Sequence, residues 1–458
     1  MKVIVCGAGQ VGFSIAKHMA AQQIDITVID RSPELIRKIS ESLDVQALEG
    51  FASDPDLLDR ANAADADMLI AVAASDEVNM VACQVAHSLF NVPKKIARIR
   101  NRSYLRPAWQ DLFSRDHLPI DLIISPEVEV AEAISRRIDI PGAFDVIPFA
   151  ERRIRVVGVL LDEDCPIVET PLRQLTELFP DLNIFVLGIV REGRTFAPSP
   201  EDHMQVGDGV YFAVEESHTS RAMTVFGHEE PEARRIIIVG GGHVGTVLAR
   251  NLEAHDPPVN IKVIEADTTQ AEWAAENLKR SVVINGDALD GEILREAGVH
   301  EAETLVAVSS DDEVNILSSL LAKRQGCGRT ITLVYKQAYR PLLGSLGIDV
   351  PVDPREATVS RILQHVRRGR IRALHSLRDG AAEIIEAEIL ETSPMVGKAL
   401  REVNLPDGVL VGAIARGDEI IIPRGDTKFE AHDRVVVFVL AQAVKKIEQL
   451  FAVRLEFF

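Results

Sequence analysis

Six glycines and two carboxylates carry the chemistry this chain could do. Gly7, Gly9 and Gly12 stand in VIVCGAGQVG at 3–12, and Gly240, Gly242 and Gly245 in IIIVGGGHVG at 236–245. Each is an apolar run, then G-x-G-x-x-G, then the start of a helical stretch. The first glycine permits a tight strand-to-helix turn, the second lets a diphosphate approach the backbone, and the third allows close helix–sheet packing. The helix N-terminus that follows favours an anion through its free N–H groups and dipole. Ala8, Gln10 and Val11 fill the first loop, and Gly241, His243 and Val244 the second. Asp30 closes ITVID 18 residues past Gly12, and Glu265 closes IKVIE 20 residues past Gly245. An acid at that distance is placed to accept the ribose hydroxyls of adenosine. It favours NAD(H) over its 2′-phosphorylated form and equally suits ATP or ADP. The bland alternative, an ordinary loop carboxylate, is disfavoured by its recurrence at a strand end in both copies.

Other features recur. LEG at 48–50 and INGD at 284–287 end a third strand with glycine, beside the expected adenine position, with Asp54 and Asp287 read as caps. A fourth strand ends in Ala73-Ala74 and in Ser309-Ser310, small residues over which a nucleotide can lie. Asp76-Glu77 and Asp311–Glu313 are read as helix starters that complement the dipole, not as catalytic acids. IARIR at 96–100 alternates, which would place Arg98 and Arg100 on one face with Arg98 in reach of a phosphate. The matching positions in the second copy are read as Val334 and Lys336. Loss of the arginine predicts two sites unequal in ligand or affinity. The chain has no H-E-x-x-H, no G-x-S-x-G and no G-x-x-x-x-G-K-[ST]. Binding and sensing, without catalysis, is therefore the expected role. The rival is an NAD-dependent oxidoreductase with a degenerate second unit. It needs a His, Lys or Tyr beside the nicotinamide, and the sequence offers no convincing one.

The elements that position these residues follow from periodicity. Strands are predicted at Lys2–Cys6, Asp25–Ile29, Val45–Glu49, Met68–Ala73 and Lys95–Ile99, with helices between them. Such alternation predicts an α/β fold with a doubly wound parallel sheet. Val3 matches Ile236 and Ile70 matches Val306, offsets of 233 and 236 residues, so one fold is copied twice. Asp-Pro-Pro at 256–258 is expected to hold two of the three inserted residues. Ser125-Pro126 and Asp353-Pro354 read as N-cap and N1 of helices near Glu127–Arg137 and Arg355–Arg367 that cross to the next domain. Segments 144–226 and 374–455 also match each other, as NIFVLGIV and VLVGAIA and later as VGDGVYFAV and AHDRVVVFV. Each is expected to be a small α+β domain.

The bulk numbers exclude several classes. The chain has 458 residues and a net charge of −19, which argues against binding nucleic acid or anionic lipid nonspecifically. No helix-turn-helix pattern supports a transcription regulator. Cys6, Cys83, Cys165 and Cys327 are scattered without C-x-x-C, pointing to a reduced compartment and no zinc site. Met1 and Lys2 lead straight into a strand, with no signal peptide expected, and no apolar run approaches the ~18 residues of a membrane span.

Taken together, GAGQVG and GGGHVG, the SDEVN and DDEVN helices, the IARIR strand and a small domain after each unit resemble the RCK/KTN family of potassium-transport regulators. The resemblance spans essentially the whole chain. It implies two Rossmann-like nucleotide-binding domains at 1–123 and 232–348, each followed by a small α+β (RCK-C) domain, at 144–228 and 368–453. It implies NAD(H), with ATP or ADP as alternatives, bound through Gly7 to Gly12, Asp30, Ala73, Ala74 and Arg98, and through Gly240 to Gly245 and Glu265. It further implies a peripheral place on the cytoplasmic face of the cell inner membrane, with an integral-membrane potassium-translocating partner, no nucleic acid, and a homotetramer forming a ring of eight Rossmann units. The lost arginine is the main departure from the family pattern.

Overall fold

The computed structural model describes residues 1–179, 182–255, 258–366 and 371–451. Asp256 and Pro257 of the inserted loop, and Arg367 of the second expected crossing helix, lie outside the described residues.

The first half begins β1 (Lys2–Cys6), α1 (Gln10–Ala21), β2 (Asp25–Asp30), α2 (Pro33–Ser42), β3 (Gln46–Glu49), α3 (Pro55–Arg60), β4 (Met68–Ala71), α4 (Asp76–Phe90), β5 (Lys94–Arg98) and β6 (Leu122–Ile124). Its sheet runs β3-β2-β1-β4-β5-β6, with every neighbouring pair parallel. Order reverses between β1 and β4, and the crevice beyond the strand C-termini at such a switch point is where doubly wound sheets bind ligands. The central strands β1, β2, β4 and β5 are buried on both faces, as parallel strands covered by helices must be, while the edge strands β3 and β6 are partly exposed, and Ile4, Cys6, Ile29, Leu69 and Ala71 form the centre of the core.

Helix α5 (Pro126–Asp139) leads to β7 (Ala143–Phe149), β8 (Ile154–Leu160), α6 (Leu172–Leu178), β9 (Ile184–Arg191), β10 (Arg194–Phe196), β11 (Gly209–Glu215) and α7 (Thr219–Val225). These strands form an antiparallel sheet ordered β10-β9-β11-β8-β7.

The second half repeats the plan. It runs β12 (Arg235–Val239), α8 (His243–Glu253), β13 (Asn260–Glu265), α9 (Thr268–Asn277), β14 (Val282–Asn285), α10 (Gly291–Glu296), β15 (Thr304–Ala307), α11 (Asp312–Arg324), β16 (Arg329–Leu333), α12 (Arg340–Leu346) and β17 (Val350–Val352). The sheet order β14-β13-β12-β15-β16-β17 is that of the first half. Then come α13 (Pro354–Val366), β18 (Ile371–Leu377), β19 (Ala382–Glu388), β20 (Val409–Arg416), β21 (Glu419–Ile421), β22 (Arg434–Leu440) and α14 (Val444–Phe451), with the strands ordered β18-β19-β22-β20-β21. Among the described residues no helix is long and apolar enough to cross a membrane.

The chain divides into two compact units, residues 1–129 with 355–366, and residues 130–354 with 367–458. Both crossing helices therefore work away from their own sheets. In the first unit α13 is held by Lys94 Nζ donating to the His365 carbonyl (2.6 Å) and by Arg361 against Glu129 (3.6 Å). In the second unit the end of α5 is held by the Arg329 guanidinium, which donates to the carbonyls of Arg137 and Ala143. The two antiparallel sheets, both in the second unit, share one apolar core of Phe149, Val156, Leu187, Ile384, Val436 and Phe438. Gly188 and Gly412 make that contact possible: a Cβ on Gly188 would lie 2.5 Å from the Phe438 ring, and one on Gly412 would lie 2.4 Å from Leu187 Cδ2.

Candidate nucleotide sites

The glycine loops fold alike in both copies, for reasons the structure makes specific. Gly7 has φ +113° and lies against the backbone after β4, where a Cβ would stand 2.8 Å from the Ala73 nitrogen. Gly240 has φ +105° and meets Ser309 in the same way, with a Cβ 2.9 Å from its nitrogen. A Cβ on Gly12 would sit 1.8 Å from the Gly7 carbonyl oxygen, and one on Gly245 1.9 Å from that of Gly240. The third glycine thus lets the helix pack on the loop itself, more than on the sheet. Gly9 and Gly242 differ: a Cβ at either would find no atom within 4 Å. Their lack of a side chain serves no internal packing, and the space stands at the N-terminus of α1 or α8, neither of which has a side-chain cap. Gln10 and His243 begin those helices as exposed side chains, while Val11 and Val244 are half-buried and Ala8 and Gly241 buried.

The acids lie where the spacing places them, and the structure adds a task. Asp30 Oδ2 accepts from Ala8 N (2.7 Å) and Oδ1 from Ser32 N (2.8 Å). Glu265 Oε2 accepts from Gly241 N (2.7 Å) and Oε1 from Asp267 N (3.0 Å). Each carboxylate ties the glycine loop to the start of the next helix, which fixes its own position at the end of β2 or β13.

The acids of the repeated D-E-V-N motif stand at the start of α4 and α11 as expected, and the structure gives the motif a further task. Helix α4 is capped by Ser75, whose Oγ accepts from Val78 N (3.3 Å), and α11 by Asp311, whose Oδ1 accepts from Val314 N (2.9 Å). Asp76 and Asp312 are buried and turn back to the loop after the fifth strand. Asp76 accepts from the Arg100 and Asn101 nitrogens, and Asp312 from those of Tyr335 and Lys336, at 2.8–3.1 Å. The motif's asparagine, which sequence reasoning missed as a functional position, is fully buried in both copies. Asn79 accepts from Ala73 N (2.8 Å) and donates to the carbonyls of Ala73 (3.1 Å) and Arg98 (2.9 Å). Asn315 does the same with Ser309 N, Ser309 O and Leu333 O at 2.8–3.0 Å. The signal was present in the sequence as a buried-facing amide conserved between the two copies.

These bonds also set the register between copies. Asn79 meets Arg98 where Asn315 meets Leu333, and Met68 pairs with Lys94 where Thr304 pairs with Arg329. The counterpart of Arg98 is therefore Leu333, not Val334, and that of Arg100 is Tyr335, not Lys336. Helix α11 has 13 residues against 15 in α4, and the connection that follows is one residue longer, so the strand starts one residue sooner in the second copy. The arginine is lost in the second copy all the same. Nor do Arg98 and Arg100 share a strand face: β5 ends at Arg98, and Arg100 lies beyond it, exposed and near Glu127 (3.7 Å). Asp54 caps α3 as expected, but α10 is capped by Asp290, while Asp287 only closes a short turn onto Leu289 N (2.9 Å).

Arg98 is the most unusual group in the first crevice. Its residue is buried, its Nη2 donates to the Ala73 carbonyl (2.7 Å), and its Nε is buried without a hydrogen-bond partner. Burial, with Arg100 nearby, pushes its pKa down to about 10, so it stays charged near neutral pH. Glu127 and Asp76 partly offset the burial, but a buried donor left without an acceptor is costly unless another group joins it. Ala73 is half-buried and Ala74 exposed, so the first crevice brings together Gly7 to Gly12, Asp30, Ala73, Ala74 and Arg98 at the C-terminal ends of four strands. A dinucleotide diphosphate fits this set: open space over Gly9, an uncapped helix end and a guanidinium with an unused donor. In the second crevice Leu333 is buried in the arginine's place, and the nearby cation, Lys336, is exposed and engaged by Glu313 (2.7 Å), to which Tyr339 also donates (2.6 Å). The loop there is tied further, by Thr246 Oγ1 (2.9 Å) and Gln270 Nε2 (2.8 Å) donating to the Gly241 carbonyl.

Comparison with known proteins agrees with the duplication. The TrkA-N domain matches residues 3–126 and 236–354, and the TrkA-C domain matches 156–227 and 384–452. The Trk system potassium uptake protein TrkA of Azorhizobium caulinodans is 52% identical over 458 residues, covering 100% of both chains. The protein of the same name from Vibrio alginolyticus is 39% identical, covering 98% of each. Among solved structures, the GsuK RCK domain superposes with a TM-score of 0.61 at 18% identity, covering 99% of this chain and 95% of that one. The GsuK channel bound to NAD gives 0.60 at 18%, covering 99% and 79%. At such identity these two speak for the fold alone. The family match over most of the chain and the full-length relatives carry the assignment: the chain belongs to the TrkA family of Trk system potassium uptake proteins.

Proposed function

We propose that this chain is a nucleotide-sensing regulatory subunit of a Trk-type potassium uptake system, with NAD(H) as the ligand of its first crevice and ATP or ADP as competitors for the same adenosine contacts. The observation that carries this reading is Arg98, a buried guanidinium with an idle donor at a switch-point crevice. In this reading Arg98 and the N-terminus of α1 hold the diphosphate, Gly9 leaves it room, and Asp30 takes the ribose hydroxyls. The second crevice, with Glu265 but no arginine, is the weaker site. The four-domain division 1–123, 144–228, 232–348 and 368–453 belongs to the same reading, as does a ring-forming tetramer on the cytoplasmic face of an integral-membrane potassium-translocating subunit.

Regulation then follows from linkage. A ligand shifts a conformational equilibrium only as far as it prefers one state, and a coupling of about 1–3 kcal/mol per site, summed over a ring, makes a steep switch. The test has two parts. Calorimetry should show NADH binding at the first site that Asp30→Arg abolishes, leaving only the weaker second site, and potassium uptake by liposomes holding the membrane subunit should respond to NADH with the wild-type chain but not with D30R. Undiminished NADH binding by D30R refutes the site, and a flux indifferent to nucleotide refutes the regulation.

A further inference from the structure

The two crevices differ again at the turn after the third strand. Gly50 N donates to the Asp30 carbonyl (2.9 Å), and Gly286 N donates to the Glu265 carbonyl (2.9 Å), so the residues that follow, Phe51 and Asp287, occupy one structural position. Asp54 and Asp290 cap the next helices three residues later in both copies, which confirms the match. Glu49 pairs in register with Asp30, so Phe51 stands two residues beyond the strand position beside the ribose acid. The Phe51 residue is 57% exposed. Its neighbour Ala52 is buried and belongs to the core of the first sheet, so the turn is anchored while the ring is left in water. A phenyl ring held in water beside a crevice is an unused apolar surface, and the flat, apolar part of a nucleotide is its base. Asp287 at the same place is exposed and acceptor-only, with Oδ1 engaged by Leu289 N (2.9 Å).

We propose that Phe51 is the stacking platform for the base in the first site and that Asp287 is a hydrogen-bond acceptor for the base in the second, so the two sites differ in base selectivity. This rests on the reading of the crevices as adenine-nucleotide sites. A ring offers its face to any base, because every base has a π-face. A carboxylate distinguishes them. It accepts from the 6-amino group of adenine, a donor, and repels the 6-oxo group of hypoxanthine, an acceptor. The first site therefore tolerates a hypoxanthine dinucleotide and the second rejects it.

The experiment titrates the full chain calorimetrically with NADH and with reduced nicotinamide hypoxanthine dinucleotide. Glu265→Arg isolates the first site and Asp30→Arg the second. In E265R the two ligands should bind within about threefold of each other. Adding Phe51→Ala should weaken both by about 5- to 150-fold, the range for losing one base–aromatic stack, and Phe51→Trp should restore binding. In D30R the adenine ligand should be favoured about tenfold or more, and Asp287→Ala should erase that preference. F51A binding as tightly as its parent overturns the platform, as does failure of F51W to rescue. A second site that binds nothing, or a preference that survives D287A, overturns the acceptor. If wild type binds neither dinucleotide, the reading of the crevices themselves falls; if it binds NADH and F51A is unaffected, only this inference falls.

Discussion

Asn79→Ala should weaken the first unit without removing any of its apolar core. The amide makes three hydrogen bonds from a fully buried position, at 2.8, 3.1 and 2.9 Å. When it is removed, the Ala73 carbonyl keeps its bond from Arg98 Nη2. The Ala73 N–H and the Arg98 carbonyl each lose their side-chain partner. A buried polar group left unpaired costs about 1–3 kcal/mol, so the two together should cost about 2–6 kcal/mol. For a unit of this size each kcal/mol lowers Tm by about 2–4 °C, which gives a fall of roughly 4–24 °C in the calorimetric transition of the first unit. NADH binding should weaken as well, because the same amide ties the backbone of Arg98 to that of Ala73. Asn315→Ala should produce a drop of the same order in the second unit. A melting transition within about 2 °C of wild type in N79A, with NADH affinity unchanged, would refute the claim that this amide fixes the switch point.

Four other outcomes can be checked alongside it. Arg98→Leu gives the first copy the residue the second already buries, Leu333; it should fold normally and bind NADH about 10- to 150-fold more weakly, the value of a charge-assisted hydrogen bond. Gly9→Ala, with no atom within 4 Å of the new methyl, should leave the melting curve unchanged and abolish NADH binding at the first site, whereas Gly12→Ala, with its methyl 1.8 Å from a carbonyl oxygen, should remove the first transition outright. Burial alone would raise the Asp145 carboxyl, but Arg137 (2.7 Å) and His375 (3.2 Å) outweigh it and hold it well below its ordinary value of 3.8. A carboxylate so depressed contributes stability above its unfolded pKa and loses it as pH falls through the folded one, so the second unit should weaken below about pH 4, and Asp145→Asn should cost about 3–5 kcal/mol at pH 7 and flatten that pH dependence. Glu313 is drawn down to about 2 by hydrogen bonds from Lys336 and Tyr339, so the effect of Glu313→Gln on the second unit's melting should be smallest at pH 2 and below, grow as pH rises from about 2, and be complete above its ordinary value of 4.5, read by the same scans.

The glycines, the two acids and the parallel strands were legible because each depends on local rules: a forced turn, a strand end, a run buried on both faces. What escaped the sequence depends on where a side chain points after the chain turns. Asp76 sits in the first turn of a helix, where an acid is ordinarily a dipole partner, and only the return of the chain at Arg100 and Asn101 shows its other use. Leu333 was misplaced by one residue because α11 ends two residues early and the loop after it gains only one, a net shift at a helix end where periodicity offers no register. Arg98 and Arg100 alternate in sequence, but the strand ends between them and the alternation carries no face. The packing of the two antiparallel sheets on each other was invisible for a similar reason: their inner residues are apolar whether the partner is a helix or another sheet.

The crossing helices decide how far the two halves can be separated. A cut after the first sheet and its following domain would leave the N-terminal fragment without residues 355–366, which belong to its own unit. That segment buries Val359, Ile362, Leu363 and Val366. At about 1.5–3 kcal/mol for each fully buried side chain, the four supply about 6–12 kcal/mol before ordering costs, a range comparable to the whole net stability of a typical domain. It would also lose the Lys94–His365 and Arg361–Glu129 contacts. The duplication in sequence is therefore not a duplication into self-sufficient halves. Because α13 leaves the second sheet and completes the first unit, while α5 leaves the first sheet and completes the second, the chain after each crevice is built into the other unit.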